Sequence, residues 1–208
     1  MTTERTEKSH VWSEEARILP QDITLEELLE KLVAARVPVE TYGQGIAKTV
    51  EHLLAEINEG EAKLSVDGEG NLQRLLDVLA IDVYCALSNG DIYVLKEDRQ
   101  IFRDGRSKRR ILDSSIGEKL EQGEEGLQAA RRALQEELGI WEVEALHQGG
   151  LEEKTRHSSA FPGLKTTYRM QRFVAIIPEQ AFDSQGYVEQ QTDKTNYYVW
   201  ELLHRGEV

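Results

Sequence analysis

The sequence predicts an α+β fold in which helices precede a strand-rich region that contains one internal helix. Apolar residues near the N-terminus recur at three- and four-residue spacing, as in amphipathic helices. Apolar runs of strand length follow, and Asn89-Gly90 between two of them is a strong hairpin signal. A further helical stripe covers residues 125–138, with more strand-like runs after it. Together these observations predict the order helices, strands, helix, strands.

Two parts of the chain are expected to differ in organisation. Residues 1–60 are predicted to form a polar segment, 1–23, followed by a two-helix extension, and residues 61–208 to form the main domain. The extension is expected to pack on that domain. A dimer contact and a surface for a partner are the alternatives.

The two N-terminal helices have recognisable boundaries. Thr24 and Glu27 form a capping box at the start of the first helix, which is expected to stop before Pro38. The second helix is expected over residues 45–59, with Ile46 on its apolar face.

The strands are predicted from short apolar runs bounded by turn residues. They are expected at residues 61–66, 75–87, 92–95, 141–151, 166–177 and 196–202. The only cysteine, Cys85, falls inside one of these runs, so we expect a buried, inert thiol and no internal disulfide.

The composition excludes several classes of protein. The chain has 208 residues and a net charge of −13, which disfavours broad binding to nucleic acid or to anionic membranes. No apolar run is long enough to cross a bilayer, and the N-terminus has no apolar signal region. We therefore expect a soluble cytoplasmic protein with no nucleic-acid partner.

The stretch of residues 117–140 contains the residues most suited to chemistry. It is predicted to be a polar turn followed by a helix that ends at Gly139, a residue favoured at a left-handed C-cap. The apolar face of that helix is expected to contain Leu127, Ala130, Leu134 and Leu138. Glu136 and Glu137 are expected on the opposite side, near Arg132. Adjacent carboxylates of this kind suit a hard cation such as Mg²⁺.

This stretch resembles the Nudix box, whose pattern is G-x5-E-x7-R-E-U-x-E-E-x-G-U, with U an aliphatic residue. The matching positions are Glu124, Arg132, Leu134, Glu136, Glu137, Gly139 and Ile140. The departures are Ala133, where the pattern has a glutamate, and Glu118, where it has a glycine. The resemblance implies a Nudix-type α/β/α sandwich with a mixed β-sheet.

The resemblance also implies an active site. Glu124, Arg132, Glu136 and Glu137 would be its catalytic residues, with Glu124 and Arg132 forming a salt bridge. Glu136 and Glu137 would bind Mg²⁺ or Mn²⁺. Ala133 removes one carboxylate from the implied metal cluster, and we expect either Glu118 or Glu121 to supply a replacement.

Residues outside the box are candidates for substrate binding. A basic cluster before the box contains Arg103, Arg106, Lys108, Arg109 and Arg110. It would suit a phosphate group, or it is a solvated hairpin loop that balances local acidic charge. His157 and Tyr168 follow the box and would contact a base, sugar or phosphate, unless His157 is simply exposed.

Two functions follow from this pattern. The first is a metal-dependent hydrolase, with reduced activity, that cuts a pyrophosphate linkage in a nucleoside diphosphate linked to another group. The second is a catalytically impaired binding or regulatory module for a nucleotide, a phosphorylated ligand or a protein. Either function implies a small phosphorylated or nucleotide ligand and is compatible with a homodimer.

Overall fold

The computed structural model describes residues 17–20, 22–109, 114–121 and 123–205. This part of the chain contains three α-helices and ten β-strands, which confirms the α+β class. The helices are α1 (Leu25–Ala34), α2 (Val50–Asn58) and α3 (Gly126–Leu138). The strands are β1 (Arg17–Ile18), β2 (Lys63–Val66), β3 (Leu72–Ala86), β4 (Ile92–Phe102), β5 (Ser107–Lys108), β6 (Ile116–Lys119), β7 (Ala145–His157), β8 (Lys165–Ile177), β9 (Tyr187–Gln190) and β10 (Lys194–His204).

The chain forms two compact units. The first unit runs to Leu76 and also includes Gly150–Arg169, and the second consists of Asp77–Gly149 and the residues from Met170 onward. Strands β3, β7 and β8 are long enough that each contributes residues to both units.

The first unit contains the N-terminal helices and the short antiparallel strands β1, β2 and the start of β3. The capping box of α1 is present, because the Thr24 backbone N–H donates to Glu27 at 2.8 Å and the Glu27 N–H donates to Thr24 Oγ1 at 3.3 Å. The core of this unit joins Leu28 and Leu32 of α1 with Leu53 of α2 and includes Phe161. The helices are therefore part of a packed core in this unit.

Helix α2 starts later than the sequence pattern predicts. Gly43 and Gly45 adopt positive φ, which a helix cannot contain, and Thr49 then caps the helix by accepting from the His52 N–H at 3.3 Å. Ile46 consequently lies before the helix and is exposed, so its predicted place on the apolar face is wrong.

The second unit is built on the predicted hairpin. Asn89-Gly90 connects β3 to β4, with Gly90 at a φ of 85° and the Leu87 N–H donating to the Asp91 carbonyl at 2.8 Å. Strand β10 pairs antiparallel with both β4 and β9, and β6 pairs antiparallel with β3. Helix α3 contributes Ala129, Ala130, Ala133, Leu134 and Leu138 to the core of this unit.

Some local predictions near α3 are wrong. Residues 116–119 form β6, although the sequence suggested only a turn, and Leu127 at the start of α3 is exposed instead of buried. Strand β7 begins at Ala145, which leaves Trp141 exposed in the preceding connection. Each error concerns a segment of a few residues, in which apolar spacing carries little information.

Cys85 is fully buried on β3, which confirms its predicted burial, and burial raises the pKa of its thiol to about 11. Among the described residues, no helix combines the length and the apolar character that a bilayer crossing requires.

Candidate functional site

A glycine with positive φ lies on each side of helix α3. Gly123, in the connection before the helix, has a φ of 76°, and Gly139 after the helix has a φ of 67°. The Gly139 N–H donates to the Gln135 carbonyl at 3.0 Å, which confirms the predicted left-handed C-cap. The helix therefore presents its polar side chains in a defined orientation.

Arg132 is the hub of the polar side of α3. Its Nε and Nη2 each donate to the Glu124 carboxylate at 2.9 Å, which is the ion pair that the motif implies. Its Nη1 donates to Glu136 at 3.0 Å, and Nη2 also donates to the Lys119 carbonyl at 3.2 Å. The arginine thus connects the loop before α3, the end of β6 and the helix itself.

The electrostatics of this hub follow from its hydrogen bonds. The Arg132 guanidinium lowers the pKa of Glu124, and the hydrogen bonds that Arg132 donates to Glu124 and Glu136 raise the pKa of Arg132. Both groups of the ion pair are therefore charged across the ordinary pH range.

Glu137 lies in a different environment from its neighbour Glu136. It is 9% exposed and accepts a hydrogen bond of 2.5 Å from the Tyr198 hydroxyl on β10. The prediction that both glutamates lie opposite the apolar face is wrong for Glu137. It lies four positions after the buried Ala133, about one helical turn, so both lie on the same side of α3.

Three strands bring further carboxylates to Glu137. Glu97 on β4 is the cross-strand partner of Tyr198, Glu118 lies on β6, and Glu189 lies on β9. Burial raises the pKa of Glu137 to about 8, and the charges of Glu189, Glu118 and Glu97 add to this effect. We call Glu97, Glu118, Glu137 and Glu189 the acidic cluster.

Two buried amides adjoin the acidic cluster. Asn196 on β10 is 4% exposed and donates to Glu189 at 2.5 Å, and Gln100 on β4 is its cross-strand partner. Within the described part of the chain, the side-chain oxygen Oδ1 of Asn196 and the side-chain nitrogen Nε2 of Gln100 have no hydrogen-bond partner. Buried polar atoms of this kind usually have a partner, often a water molecule or an ion.

Sequence reasoning missed Glu97, Glu189, Asn196 and Tyr198 as parts of the site. Glu97 gave no signal, because it lies among charged neighbours in the run Lys96-Glu97-Asp98-Arg99, which is typical of a solvated segment. Glu189 and Asn196 belong to short or polar stretches and gave none. Only the pairing of β4, β9 and β10 brings these residues near α3.

The donor set fits a hard divalent cation in its chemistry. Carboxylate and amide oxygens are the ligands that Mg²⁺ prefers, and Mg²⁺ commonly takes one or two carboxylates together with waters. Among the described residues, however, no three His, Cys, Asp or Glu side chains converge closely enough to hold one ion.

The two remaining metal candidates on the polar side differ in accessibility. The Glu136 side chain is 61% exposed and bonded to Arg132. The Glu121 side chain is 71% exposed and lies 3.7 Å from Arg132. Both carboxylates approach the Arg132 guanidinium, and the Glu136 carboxylate is the nearer of the two.

The basic cluster is partly neutralised by its own neighbours. Arg106 pairs with Asp104 at 2.7 Å and Arg109 approaches Asp98 at 3.4 Å, whereas Lys108 is exposed on β5. Arg110 lies outside the described residues. The cluster is a hairpin between β4 and β5, in the same unit as α3.

His157 and Tyr168 belong to the first unit. His157 is exposed at the end of β7, and Tyr168 is half-buried on β8. Among the described residues of the first unit, neither side chain makes a hydrogen bond.

Comparison with known proteins identifies the fold. A family model, described as the NUDIX domain, matches residues 78–200. A search of curated proteins gives no match.

Several solved structures are similar to the chain. An Ap4A hydrolase from C. elegans is 16% identical, with 61% of this chain and 79% of that chain covered and a TM-score of 0.36. The T. brucei MERS1 protein in its apo form is 19% identical, with coverages of 69% and 47% and a TM-score of 0.37. A mutT/nudix family protein from Listeria innocua is 19% identical, with coverages of 51% and 67% and a TM-score of 0.33.

Proposed function

Since the chain belongs to the Nudix hydrolase superfamily, we propose that it cuts a pyrophosphate linkage in a nucleoside diphosphate joined to another group. The observation that carries this proposal is the charge arrangement around α3. Glu124, Arg132 and Glu136 form a connected ion network, and the acidic cluster lies beside it. Carboxylates held close together repel one another and destabilise a fold. Groups whose pKa is shifted in this way are concentrated at functional sites.

Glu136 and Glu137 are the box residues that would hold Mg²⁺ or Mn²⁺. When bound, the ion would neutralise phosphate charge and lower the pKa of a coordinated water. Two observations support a divalent cation at these residues: the possible ligands are all oxygen atoms, and the side-chain oxygen of Asn196 has no partner among the described residues.

The remaining residues have roles that follow from their contacts. Arg132 fixes the Glu136 carboxylate at 3.0 Å, and the Tyr198 hydroxyl orients Glu137. Both act as positioning residues, because each constrains a carboxylate.

The basic hairpin would attract the phosphates of the substrate. Arg109 lies 3.4 Å from Asp98, which directly follows Glu97 on β4. The basic hairpin therefore has a contact one residue along the strand from a member of the acidic cluster. Arg106 and Lys108 lie on the same hairpin, exposed to solvent.

The reaction is expected to be slow. Ala133 supplies no carboxylate, and removing one preorganised electrostatic contact from an active site typically costs about 10²- to 10³-fold in rate. The ligand class is a small phosphorylated compound or nucleotide. The buried free thiol of Cys85 is compatible with the cytoplasmic location that we propose.

A hydrolysis assay tests the proposal. Phosphate release would be measured with Mg²⁺ or Mn²⁺ on nucleotide sugars, dinucleoside polyphosphates and other nucleoside diphosphate derivatives. Turnover of one class that is lost in Glu136→Gln/Glu137→Gln, and kept in Glu201→Gln, is the expected result. Glu201 is an exposed carboxylate on β10 and is the charge-matched control.

One observation favours a second function, that of a binding module. No three metal-ligating side chains converge among the described residues, so the site is not assembled for catalysis as it stands. If the protein bound a nucleotide saturably but hydrolysed none with any metal ion, this function would be favoured over the hydrolase.

A further inference from the structure

Strand β10 has an unpaired edge beyond Tyr198. Strand β9 pairs with β10 only over residues 195–198, and over residues 199–204 the strand pairs with β4 alone. Among the described residues, no other backbone hydrogen bond reaches this segment. The backbone groups that point away from β4 are therefore available to a further strand. We call residues 199–205 the β10 edge.

The β10 edge is apolar, although free edges usually carry charge. Val199, Leu202 and Leu203 are between 37% and 62% exposed. Residues 199–204 include neither lysine nor proline, the residue types that commonly prevent a free edge from pairing. An apolar edge of this kind favours association with another strand.

The charges along the β10 edge are arranged so that the edge complements itself. Glu201 precedes the two leucines, and His204 and Arg205 follow them. These three polar side chains are exposed. A strand that runs antiparallel to the same sequence places the acidic end of one copy beside the basic end of the other, and opposite charges on facing strands attract.

Glu201 and His204 also lie on the same face of the sheet. Glu201 is paired with Val94 and His204 with Ile92, which are two residues apart on β4. Alternate residues of a strand point to the same face, so their cross-strand partners do as well. A register shift just before His204 makes this possible, because it adds Leu203 as an extra residue.

Two copies that pair through this one edge are related by a twofold axis perpendicular to the sheet. Such an axis reverses the strand direction and keeps each face of the sheet on its own side. With the axis at Leu202, the two Leu202 side chains face each other, and Glu201 of each copy faces the partner's His204. The symmetry therefore forms the polar contact twice.

We propose that the β10 edge is the interface of a homodimer, in which two copies of this chain pair antiparallel and form one continuous sheet. The partner is a second copy because the edge complements itself: its apolar residues meet each other and its acidic end meets its basic end. The bulge at Leu203 increases the local twist, and a contact of few residues buries less surface than a permanent dimer. We therefore expect weak, reversible association.

Sedimentation velocity over a wide range of protein concentrations tests the inference. The wild type should shift from monomer to dimer as its concentration rises. Leu202→Lys should weaken dimerisation by about tenfold or more, because lysine on a free edge opposes strand pairing. Val188→Lys and Ile46→Lys are the matched controls, since both residues are exposed and apolar but lie outside the β10 edge. Both controls should dimerise like the wild type.

Charge reversal separates the proposed pairing from a defect in folding. Glu201→Lys and Arg205→Glu should each weaken dimerisation, because each places like charges at the ends of the contact. The double variant Glu201→Lys/Arg205→Glu has opposite charges again and should recover most of the lost affinity. Amide hydrogen exchange of the wild type adds a measurement without any substitution, since exchange within residues 199–204 should slow as the protein concentration rises.

Four results would overturn the inference. They are a wild type that stays monomeric at every concentration, a dimer that Leu202→Lys leaves intact, an equal loss in Val188→Lys, which would assign the contact to β9, and a double variant that recovers no affinity. None of these measurements involves hydrolysis, so the inference and the proposed function succeed or fail independently.

Discussion

Adjacent residues on α3 have opposite environments. The Glu136 side chain is exposed and bonded to Arg132, whereas Glu137 is buried and bonded to Tyr198. The difference arises because a helix turns by more than a quarter circle per residue. A pair of neighbouring glutamates can therefore combine one solvated charge with one buried acid.

The stability of the metal-free protein should depend on the protonation of Glu137. Its pKa is about 8 in the folded protein against an ordinary value of 4.5, so the folded state retains this proton to a higher pH. The stabilisation is fully present below about pH 4.5 and is lost as the pH rises through about 8. At 1.36 kcal/mol per pKa unit, the loss is on the order of 5 kcal/mol.

Urea unfolding at several pH values between 5 and 8 checks this dependence. The neighbouring groups that set the pKa are Glu97, Glu118, Glu189 and Tyr198. Glu137→Gln cannot ionise and should show a much flatter profile than the wild type. A wild-type stability that stays constant across this range would contradict the account.

Ala133→Glu restores the glutamate of the family pattern and tests how the site is built. Because Ala133 is fully buried beside Glu137, the added carboxylate should lower the stability of the metal-free protein, by about 2 kcal/mol or more. If Glu118 or Glu121 already supplies the missing carboxylate, hydrolysis should rise by less than about tenfold, below the 10²-fold scale of one missing contact. Steady-state kinetics and melting curves measure both effects.

At the scale of elements, Gly186 controls the position of β9. It has a φ of 80°, and an added Cβ would lie 1.9 Å from the Tyr198 carbonyl oxygen on β10. Strand β9 supplies Glu189, so the packing of this glycine supports one side of the acidic cluster.

Gly186→Ala should destabilise the protein by about 3 kcal/mol or more and also weaken Mn²⁺ binding, because backbone must move. Gly105→Ala is the matched control, since Gly105 has a φ of 85° but nothing lies within 4 Å of an added Cβ. The control should cost only about 1 kcal/mol from the unfavourable φ. Equal losses in both variants, measured by urea unfolding, would show that the contact with Tyr198 has no effect.

In the first unit, Glu56 connects α2 to β3. It is buried and forms ion pairs with Arg74 and, at 2.7 Å, with Lys48. The Arg74 guanidinium also lies 5.1 Å from the centroid of the Phe161 ring. Glu56→Gln leaves the Arg74 charge buried without its counter-ion, so we expect a loss of about 3 kcal/mol in unfolding free energy. Glu30→Gln on the exposed side of α1 is the control and should change stability by less than about 0.5 kcal/mol.

The elements that could be predicted from the sequence are those with strong local signals. The capping box at Thr24 and the Asn89-Gly90 turn each depend on a few adjacent residues, and both are present. Strands β6 (IGEK) and β9 (YVEQ) were missed because neither alternates polar and apolar residues, whereas the equally short β2 (KLSV) does. The start of α2 was missed because Gly43 and Gly45 adopt left-handed conformations that apolar spacing does not reveal.

At the scale of the whole molecule, the part of the site on one continuous segment could be predicted and the rest could not. Glu124, Arg132 and Glu136 lie within 13 residues on one segment, and their ion network follows the family pattern. Glu97 and Glu189 come from distant parts of the chain and approach α3 only through strand pairing. No local pattern in the sequence encodes such a contact.

In the function that we propose, a divalent cation held by Glu136 and Glu137 binds the phosphates of the ligand. The protein has a net charge of −13 and gathers carboxylates around Glu137, so a diphosphate should be repelled unless a cation is bound. Calorimetric titration with methylenediphosphonate, a diphosphate analogue that is not hydrolysed, tests this claim most directly. We predict at least about tenfold tighter binding with Mg²⁺ or Mn²⁺ than in excess chelator, a difference of about 1.4 kcal/mol or more. Equal affinity with and without the metal would contradict the account.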